Sequence, residues 1–404
     1  MFHSVTSQDI KEGKVTDIYF TRTFEILKAK GINKRVKGEI IAKKLPRDWQ
    51  WAVLAGVEEC ASLLEGINVN VKCLAEGTFF REYDPVFEIE GNYTDFGVYE
   101  TSVLGFLCQA SGIATAAARC RRAAGDRLLI SFGARRMHPA ISPMIERNAF
   151  IGGCDGVSCI KGAGLIGEEP MGTMPHALIL IMGDTVEATR AFDEVISKRV
   201  NRVSLIDTFN DEKFEALRVA KALDKNLFAV RLDTPSSRRG NFLEIIKEVR
   251  WELDLRGYNS VKLFVSGGMD EKSILELNSL VDAYGVGTSI SNAPVVDFSL
   301  DIIEIEGVPR AKRGKMSGSK KLLRCPKCFS CRVVPGEELK VKSEELRVKS
   351  EEEGRCDCGE SFQLLTEPLI ENGRIVRDIP KPQEIRRVVL DQLRHFSGQP
   401  IKER

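Results

Sequence analysis

The chain has 404 residues, enough for two or three domains with sizeable cores, and its 43% hydrophobic and 29% charged content is that of an ordinary globular protein. Its 59 Lys and Arg against 58 Asp and Glu leave a net charge of +1, which argues against a general nucleic-acid binder. The polar start MFHSVTSQDIKEGK is not a signal peptide and no apolar run approaches a membrane span, so a cytoplasmic protein is expected, with neither nucleic acid nor membrane as partner.

Residues 1–115 read as an α+β domain. A helix begins near Thr16 in TDIYFTRTFEILKAKG, with Asp17 as its cap and Gly31 as its stop. GEIIAKKL is a strand, and Trp51, Leu54, Val57, Ala61 and Leu64 at helical spacing predict an amphipathic helix. VNVKCLAEGTFF and PVFEIEG are further strands. The Ala-rich stretch 98–124 predicts a long helix leading into the next region.

From 116 to 294 short apolar runs recur between helical segments, as in a βα array: LLISFGARR, GVSCI, ALILI, VSLIDTF, LFAVRLD, VKLFVSGG and YGVGTSI. Several end in reactive or glycine-rich residues: Arg135, Asp207–Thr208, Asp233, Ser266–Gly268 and Gly285–Thr288. Alternating βα units favour a parallel sheet, and the repeated ends suggest an α/β barrel with its site at the strands' C-terminal face. An open doubly wound sheet is the alternative. His176 in GTMPHALILI breaks the pattern by preceding its run.

Residues 295–321 return to strand texture and end in the basic loop AKRGKMSGSK, a piece expected to complete the N-terminal domain. The tail 322–404 forms a third region. Its near-repeated heptads KVKSEEL and RVKSEEE (340–353) read as a solvated hairpin or helix, and PKPQEIRRVVLDQLRHF as an amphipathic helix carrying Val388, Val389, Leu393 and Phe396.

Of eleven cysteines, Cys60, Cys73, Cys108, Cys120, Cys154 and Cys159 stand in apolar or small-residue surroundings and behave as small hydrophobes. CPKC…CDCG brings two close pairs, Cys325, Cys328, Cys356 and Cys358, whose spacing suits a tetrahedral thiolate Zn²⁺ site. Four thiolates leave no open position, so such a zinc is structural. Cys331, also two residues beyond Cys328, is a fifth candidate, and which four bind stays open.

SGGMD and GVGTS put glycines where backbone N–H groups approach an anion, and at the last two strands of a barrel they match a phosphate site. Asp207 and Asp233 end successive strands beside Arg231. Helix capping explains such aspartates; facing a barrel mouth they suit ribose hydroxyls or a Mg²⁺ on a diphosphate. In SFGARRMHP, Phe132 can stack on a flat ring while Arg135 or Arg136 clamps a carboxylate or phosphate, a surface ion pair being the plainer reading.

In this order TDIYFT, SFGARR, GTMPHA, LIDTF, VRLD, VSGG and YGVGTS resemble the nicotinate phosphoribosyltransferase family, and in particular its archaeal forms with a C-terminal zinc knuckle. The resemblance spans about 10–321 for the enzyme core and 322–360 for the knuckle. It implies an α/β fold: an irregular α/β barrel (type II phosphoribosyltransferase-like), an α+β N-terminal domain and a small C-terminal zinc-binding domain. It further implies a homodimer or higher homo-oligomer with the active site at the interface. The implied reaction joins nicotinate to 5-phosphoribosyl 1-diphosphate with Mg²⁺, releasing diphosphate, coupled to ATP hydrolysis through a phosphohistidine at His176.

By the same resemblance Tyr19 and Phe132 sandwich the pyridine, and Arg135 and Arg231 neutralise its carboxylate or the diphosphate. Asp207 and Asp233 hold ribose or magnesium. Ser266, Gly267, Gly268, Gly285, Gly287 and Thr288 hold the 5-phosphate, and Thr173 in GTMPHA belongs to the substrate site. Nicotinamide or quinolinate on the same scaffold, a zinc-ribbon interaction protein, and an aldolase-like barrel using Lys161 are the alternatives.

Overall fold

The structure, a computed structural model, describes residues 2–336 and 354–396. The chain divides into two compact units, Met1–Thr115 with Pro294–Arg404, and Ala116–Ala293.

The first unit opens with helices Ser7–Lys11 and Ile18–Ala29, the latter with Asp17 at its cap position. Strands β1 (Arg35–Ala42), β2 (Ala52–Val53), β3 (Val69–Cys73), β4 (Phe79–Phe80) and β5 (Phe87–Asn92) follow. The helical spacing read at Trp51 and Leu54 is overturned. β2 pairs with β4, and Trp51 stacks on Phe79 with ring centroids 4.5 Å apart. Trp51 to Ala55 are all buried, so every position is apolar and the spacing carries no helical signal. The helix itself is Val57–Leu64, behind Gly56 at φ 89°, where a Cβ would lie 2.5 Å from the Phe106 carbonyl oxygen.

The Ala-rich stretch is a helix, Glu100–Ala124. With the turn before it, Tyr93–Ala124 has the length and composition of a membrane span, contrary to the reading of the apolar runs; 67% of its apolar window is buried within the protein, as in a core helix.

In the second unit β6 (Leu128–Ser131), β7 (Gly156–Val157), β8 (Val203–Leu205), β9 (Ala229–Leu232), β10 (Lys262–Val265) and β11 (Ala283–Val286) form one sheet in the order β7-β6-β11-β10-β9-β8. Every pairing is parallel, so all the strands deliver their C-terminal ends to one edge. Ile130, Val203, Ala229, Phe264 and Ala283, one from each of five strands, pack into a common core with Phe132 and Met171 against them. Among the described residues no ladder joins β7 to β8, which makes the barrel irregular.

ALILI is not a strand. His176–Met182 is a helix that starts after Pro175 in extended conformation and stops at Gly183 in the left-handed region, whose N–H donates to the Ile179 carbonyl. Pro just before and Gly just after are helix punctuation, and Ala, Leu and Met are good helix formers. His176 is therefore the first residue of a helix. Ile179 beneath it packs on Leu205 of β8, which fixes the ring's position along the sheet edge.

After Pro294 the chain rejoins the first unit. β12 (Phe298–Ile305) pairs antiparallel with β1, β13 (Val308–Pro309) extends that edge, and β14 (Lys320–Arg324), β15 (Cys331–Pro335) and β16 (Gln363–Leu364) make a three-stranded sheet. β17 (Glu367–Glu371) pairs with β3 and with β18 (Arg374–Ile375), which gives the order β13-β12-β1-β5-β3-β17-β18. Helix Pro382–Phe396 buries Ile385, Val389 and Leu393 and leaves Val388 exposed. The heptads at 340–353 lie outside the described residues.

Candidate active site and metal centre

The C-terminal edge of the parallel sheet gathers a connected polar network. Arg231, on β9, donates from Nε to Ser266 Oγ at 2.8 Å and from Nη1 to Thr173 Oγ1 at 2.7 Å, and Nη2 lies 3.3 Å from Asp233 Oδ2. Ser266 in turn donates to Asp233 Oδ1 at 2.8 Å. Burial pushes the Arg231 guanidinium below its ordinary value, opposed by the charges of Asp233 and Asp207. The guanidinium lies 5.1 Å from the centroid of Phe132, which adds a cation–π contact.

Glycines shape this edge by what they leave out. A Cβ at Gly285 would stand 2.4 Å from the Phe132 ring, and one at Gly133 2.4 Å from Ser291 Cβ, so both permit close approach around the aromatic face. Gly267 and Gly268 sit at φ 78° and 66°, and a Cβ on Gly267 would strike Asp233 Oδ1 at 2.8 Å. Gly287 precedes a short helix, Thr288–Ser291. Arg135 stands exposed in the turn Ala134–Arg136, where its charge is felt by Arg231.

At β8 the chain leaves the sheet through Asp207. Its carboxylate is only 2% exposed, and Nε2 of His176 lies 3.3 Å from Oδ2. Among the described residues neither carboxylate oxygen completes a hydrogen bond, and the neighbouring Thr208 hydroxyl is likewise buried without a partner. Burial raises the Asp207 carboxyl above its usual range, the His176 charge opposes this, and Asp233 adds to it. Buried acceptors with nothing to accept from are costly, which marks this mouth as built to receive donors or a cation.

Sequence reasoning passed over two residues here. Thr208 follows Asp207 and reads in sequence only as part of the strand end. Arg239, in TPSSRRG, reads as surface charge, yet it donates from Nε to the Thr234 carbonyl at 3.0 Å and from Nη2 to the Ser266 carbonyl at 3.3 Å. Only its position at the end of the short helix Ser236–Arg239, three residues before the helix Phe242–Leu255, could have flagged it.

Tyr19 lies in the first unit, on the helix Ile18–Ala29, and its side of that helix is exposed. In the basic loop, Lys312 Nζ lies 2.5 Å from Asp301 Oδ1 and Lys315 also pairs with Asp301, so both lysines already have a buried partner. Beside them burial pushes the Glu100 carboxyl up to about 7, with Asp301 adding to the effect and Lys312 opposing it.

The thiols of Cys325, Cys328, Cys356 and Cys358 lie within 4.8 Å of one another, with Sγ–Sγ distances of 3.4 Å for Cys325–Cys358 and 3.3 Å for Cys328–Cys356. Zn–S bonds of about 2.3 Å place tetrahedral sulfurs ~3.8 Å apart, so the four thiols can hold one metal ion with a slight expansion. Cys331 is outside this group; its Sγ accepts from Arg324 Nε at 3.5 Å.

The family model described as "Quinolinate phosphoribosyl transferase, N-terminal domain" matches residues 17–111, and the one described as "Quinolinate phosphoribosyl transferase, C-terminal domain" matches residues 113–301. A nicotinate phosphoribosyltransferase of Mycobacterium tuberculosis is 30% identical over 345 residues, covering 76% of this chain and 76% of its own. A nicotinate-nucleotide pyrophosphorylase from Pyrococcus furiosus has a crystal structure that is 54% identical, covers 99% of each chain and superposes with a TM-score of 0.93. Human nicotinic acid phosphoribosyltransferase, 18% identical over 94% of each chain with a TM-score of 0.71, shares the fold.

Proposed function

The chain belongs to the nicotinate phosphoribosyltransferase family, and from that premise we propose that it joins nicotinate to 5-phosphoribosyl 1-diphosphate in pyridine-nucleotide salvage in the cytoplasm. The observation that carries the reading is the Thr173–Arg231–Ser266–Asp233 network beside Phe132 on the edge where Asp207 meets His176.

The pyridine nitrogen attacks ribose C1, the bond from C1 to the diphosphate oxygen breaks, and diphosphate leaves with the electron pair. The ribosyl centre passes through a cationic, oxocarbenium-like state, so positioning and charge do most of the catalysis. Phe132 offers one face to the pyridine, and Tyr19 is the second ring that the resemblance assigns. Asp207 and Asp233 face the cationic ribosyl centre or its hydroxyls. Arg135 is left exposed to meet the nicotinate carboxylate. Gly285, Gly287 and Thr288 line the phosphate end.

Asp207's unpartnered oxygens fit a Mg²⁺ held with the diphosphate, an ion that would neutralise the leaving group. ATP would phosphorylate His176, whose ring is 39% exposed while its partner is buried. The phosphate would bring negative charge and acceptor oxygens to the mouth. The four thiols fit a structural Zn²⁺ with no open coordination position. A homodimer is proposed with the active site at its interface.

Quinolinate is the second reading, favoured by the descriptions of the matched domain models. Diphosphate release from 5-phosphoribosyl 1-diphosphate and Mg²⁺ is measured with nicotinate, nicotinamide or quinolinate, each with and without ATP. Nicotinate alone among the three, enhanced by ATP, is expected. Release with quinolinate instead, accompanied by carbon dioxide, would rename the substrate, and no release from folded protein would end the transferase reading.

A further inference from the structure

Helix Ser142–Ile151 brings Glu146 to the end of β6, where the residue is fully buried. Burial of a carboxylate is costly unless donors surround it. Three do. The Ser131 hydroxyl donates to Oε1 at 2.9 Å, and the backbone N–H groups of Ser158 and Cys159 donate to Oε2 at 2.8 and 3.2 Å. The packing is equally close, since a Cβ on Gly162 of the helix Ile160–Ile166 would lie 2.7 Å from Glu146 Cβ.

The donors belong to two strand ends. Ser131 is the last residue of β6, and Ser158 and Cys159 follow β7 directly. β7 pairs with β6 only at Ile130–Gly156 and Ser131–Val157, and among the described residues no strand pairs with its other edge. The Ser158 N–H also reaches the Ser131 carbonyl, at 3.2 Å. Where this short ladder runs out, Glu146 ties both strands to the helix beside them.

Alternation along β6 puts an aromatic ring on the other side of that grip. Successive side chains of a strand point to opposite faces, so Ser131 turns back to Glu146 while Ile130 and Phe132 turn into the barrel core. The Phe132 N–H donates to the Val286 carbonyl of β11 at 2.8 Å, and Ser131, one residue back, is held by Glu146. Both anchors keep the ring near Arg231, whose guanidinium lies 5.1 Å from its centroid.

We propose that Glu146 is a positioning residue for the base: through the Ser131 hydroxyl and the Ser158 and Cys159 amides it holds the exits of β6 and β7 together and sets the face that Phe132 offers to the pyridine. The inference rests on the proposed reaction, in which Phe132 receives that ring. The site needs hydrogen-bonding groups at two fixed positions rather than a charge. Glutamine can supply them, with its oxygen under the two amides and its nitrogen donating to a Ser131 hydroxyl turned round to accept.

The test begins with direct binding, which needs no turnover. Nicotinate and, separately, ribose 5-phosphate are titrated calorimetrically into full-length wild type, Ser131→Ala, Glu146→Ala and Glu146→Gln. Ser131→Ala should weaken nicotinate about three- to tenfold, the scale of one net hydrogen bond, and Glu146→Ala should weaken it further. Ribose 5-phosphate affinity should be unchanged in both, and Glu146→Gln should restore nicotinate affinity to the wild-type value. In diphosphate release the KM for nicotinate should rise in the two alanine variants while that for 5-phosphoribosyl 1-diphosphate stays. If Glu146→Ala fails to fold, Ser131→Ala, which removes a single hydroxyl, carries the comparison with Glu146→Gln. A lowered melting temperature with the ratio of the two affinities unmoved would make Glu146 a purely architectural group and overturn the assignment. Nicotinate affinity as poor in Glu146→Gln as in Glu146→Ala would overturn it too, by showing that the charge is what counts. Wild type that follows the expected binding pattern yet releases no diphosphate would defeat the proposed reaction and leave the base site standing.

Discussion

Asp207 and His176 meet as a pair of unequal exposure: the carboxylate is 2% exposed and the ring 39%, with Nε2 3.3 Å from Oδ2. The ring can be reached from solvent while its counter-charge cannot, the arrangement a phosphoryl acceptor needs. Incubation with γ-labelled ATP should label the wild type with an acid-labile phosphate. His176→Ala should take up no label, and its ratio of diphosphate release with and without ATP should fall to about one, the signature of a lost coupling step. Label retained in the variant would place the phosphate on another residue.

The Asp207 carboxyl is raised above its usual range, chiefly by burial. As pH falls it is protonated sooner than a free aspartic acid, and the mouth then loses the negative charge proposed to face the cationic ribosyl centre. The acid limb of kcat/KM should therefore begin at higher pH than the ordinary carboxyl range. Asp207→Asn should be slow at every pH and should flatten that limb. An Asp207→Asn profile parallel to the wild type would assign the limb to a different group.

Glu100 gives a stability prediction with a definite sign. Its folded value of about 7 lies above the 4.5 of the free carboxyl, so the fold keeps a proton that the unfolded chain gives up. Its contribution is fully present below about 4.5 and is lost as pH rises toward 7. Glu100→Gln should be as stable as the wild type near the acid end of this window. Above its upper end the variant should be more stable by about 2 kcal/mol, allowing for partial solvation of the site. Thermal melts on either side of the window decide it, and equal melting temperatures on the alkaline side would remove Glu100 as the titrating group.

Gly285 is a packing constraint on the aromatic face. A methyl there would lie 2.4 Å from Phe132, whose ring is already held over Arg231 at 5.1 Å. Gly285→Ala should cost about 1–3 kcal/mol of stability as an overpacked site and should raise the KM for nicotinate more than that for 5-phosphoribosyl 1-diphosphate. An equal rise in both would show that the ring does not face the base.

At the cysteine knuckle, Cys331→Ser should keep one equivalent of bound zinc and Cys358→Ser should lose it, as read by metal analysis of the purified protein. The distinction follows from the four converging thiols and from the Arg324 contact that occupies the fifth. Zinc lost from Cys331→Ser would mean that the ligand set exchanges.

The strand ends at Phe132, Asp207, Asp233 and Ser266 were legible because β-branched runs passing into polar or glycine residues leave a mark in linear order. ALILI reads as a strand but is a helix, because a short apolar run looks alike in a buried strand and a buried helix and only Pro175 and Gly183 separate them. Arg239 was illegible for a different reason. Its role lies in hydrogen bonds to the carbonyls of a turn some way along the chain, and a side chain that binds backbone reads no sequence at its target. The choice among five cysteines was likewise a matter of convergence in space.

The division of the chain also bears on the order in which it folds during synthesis. The second unit is one continuous stretch, Ala116–Ala293, whereas β1 waits for β12, with Val36 opposite Ile305, and β3 waits for β17, with Cys73 opposite Glu367. On the ribosome the barrel can close while β1 and β3, joined only through β5, still lack β12 and β17, and their open edges must be kept from pairing with other chains for most of translation. The first part to be made is thus among the last to be finished, and nascent-chain aggregation should be most acute in products truncated between Ala293 and β17.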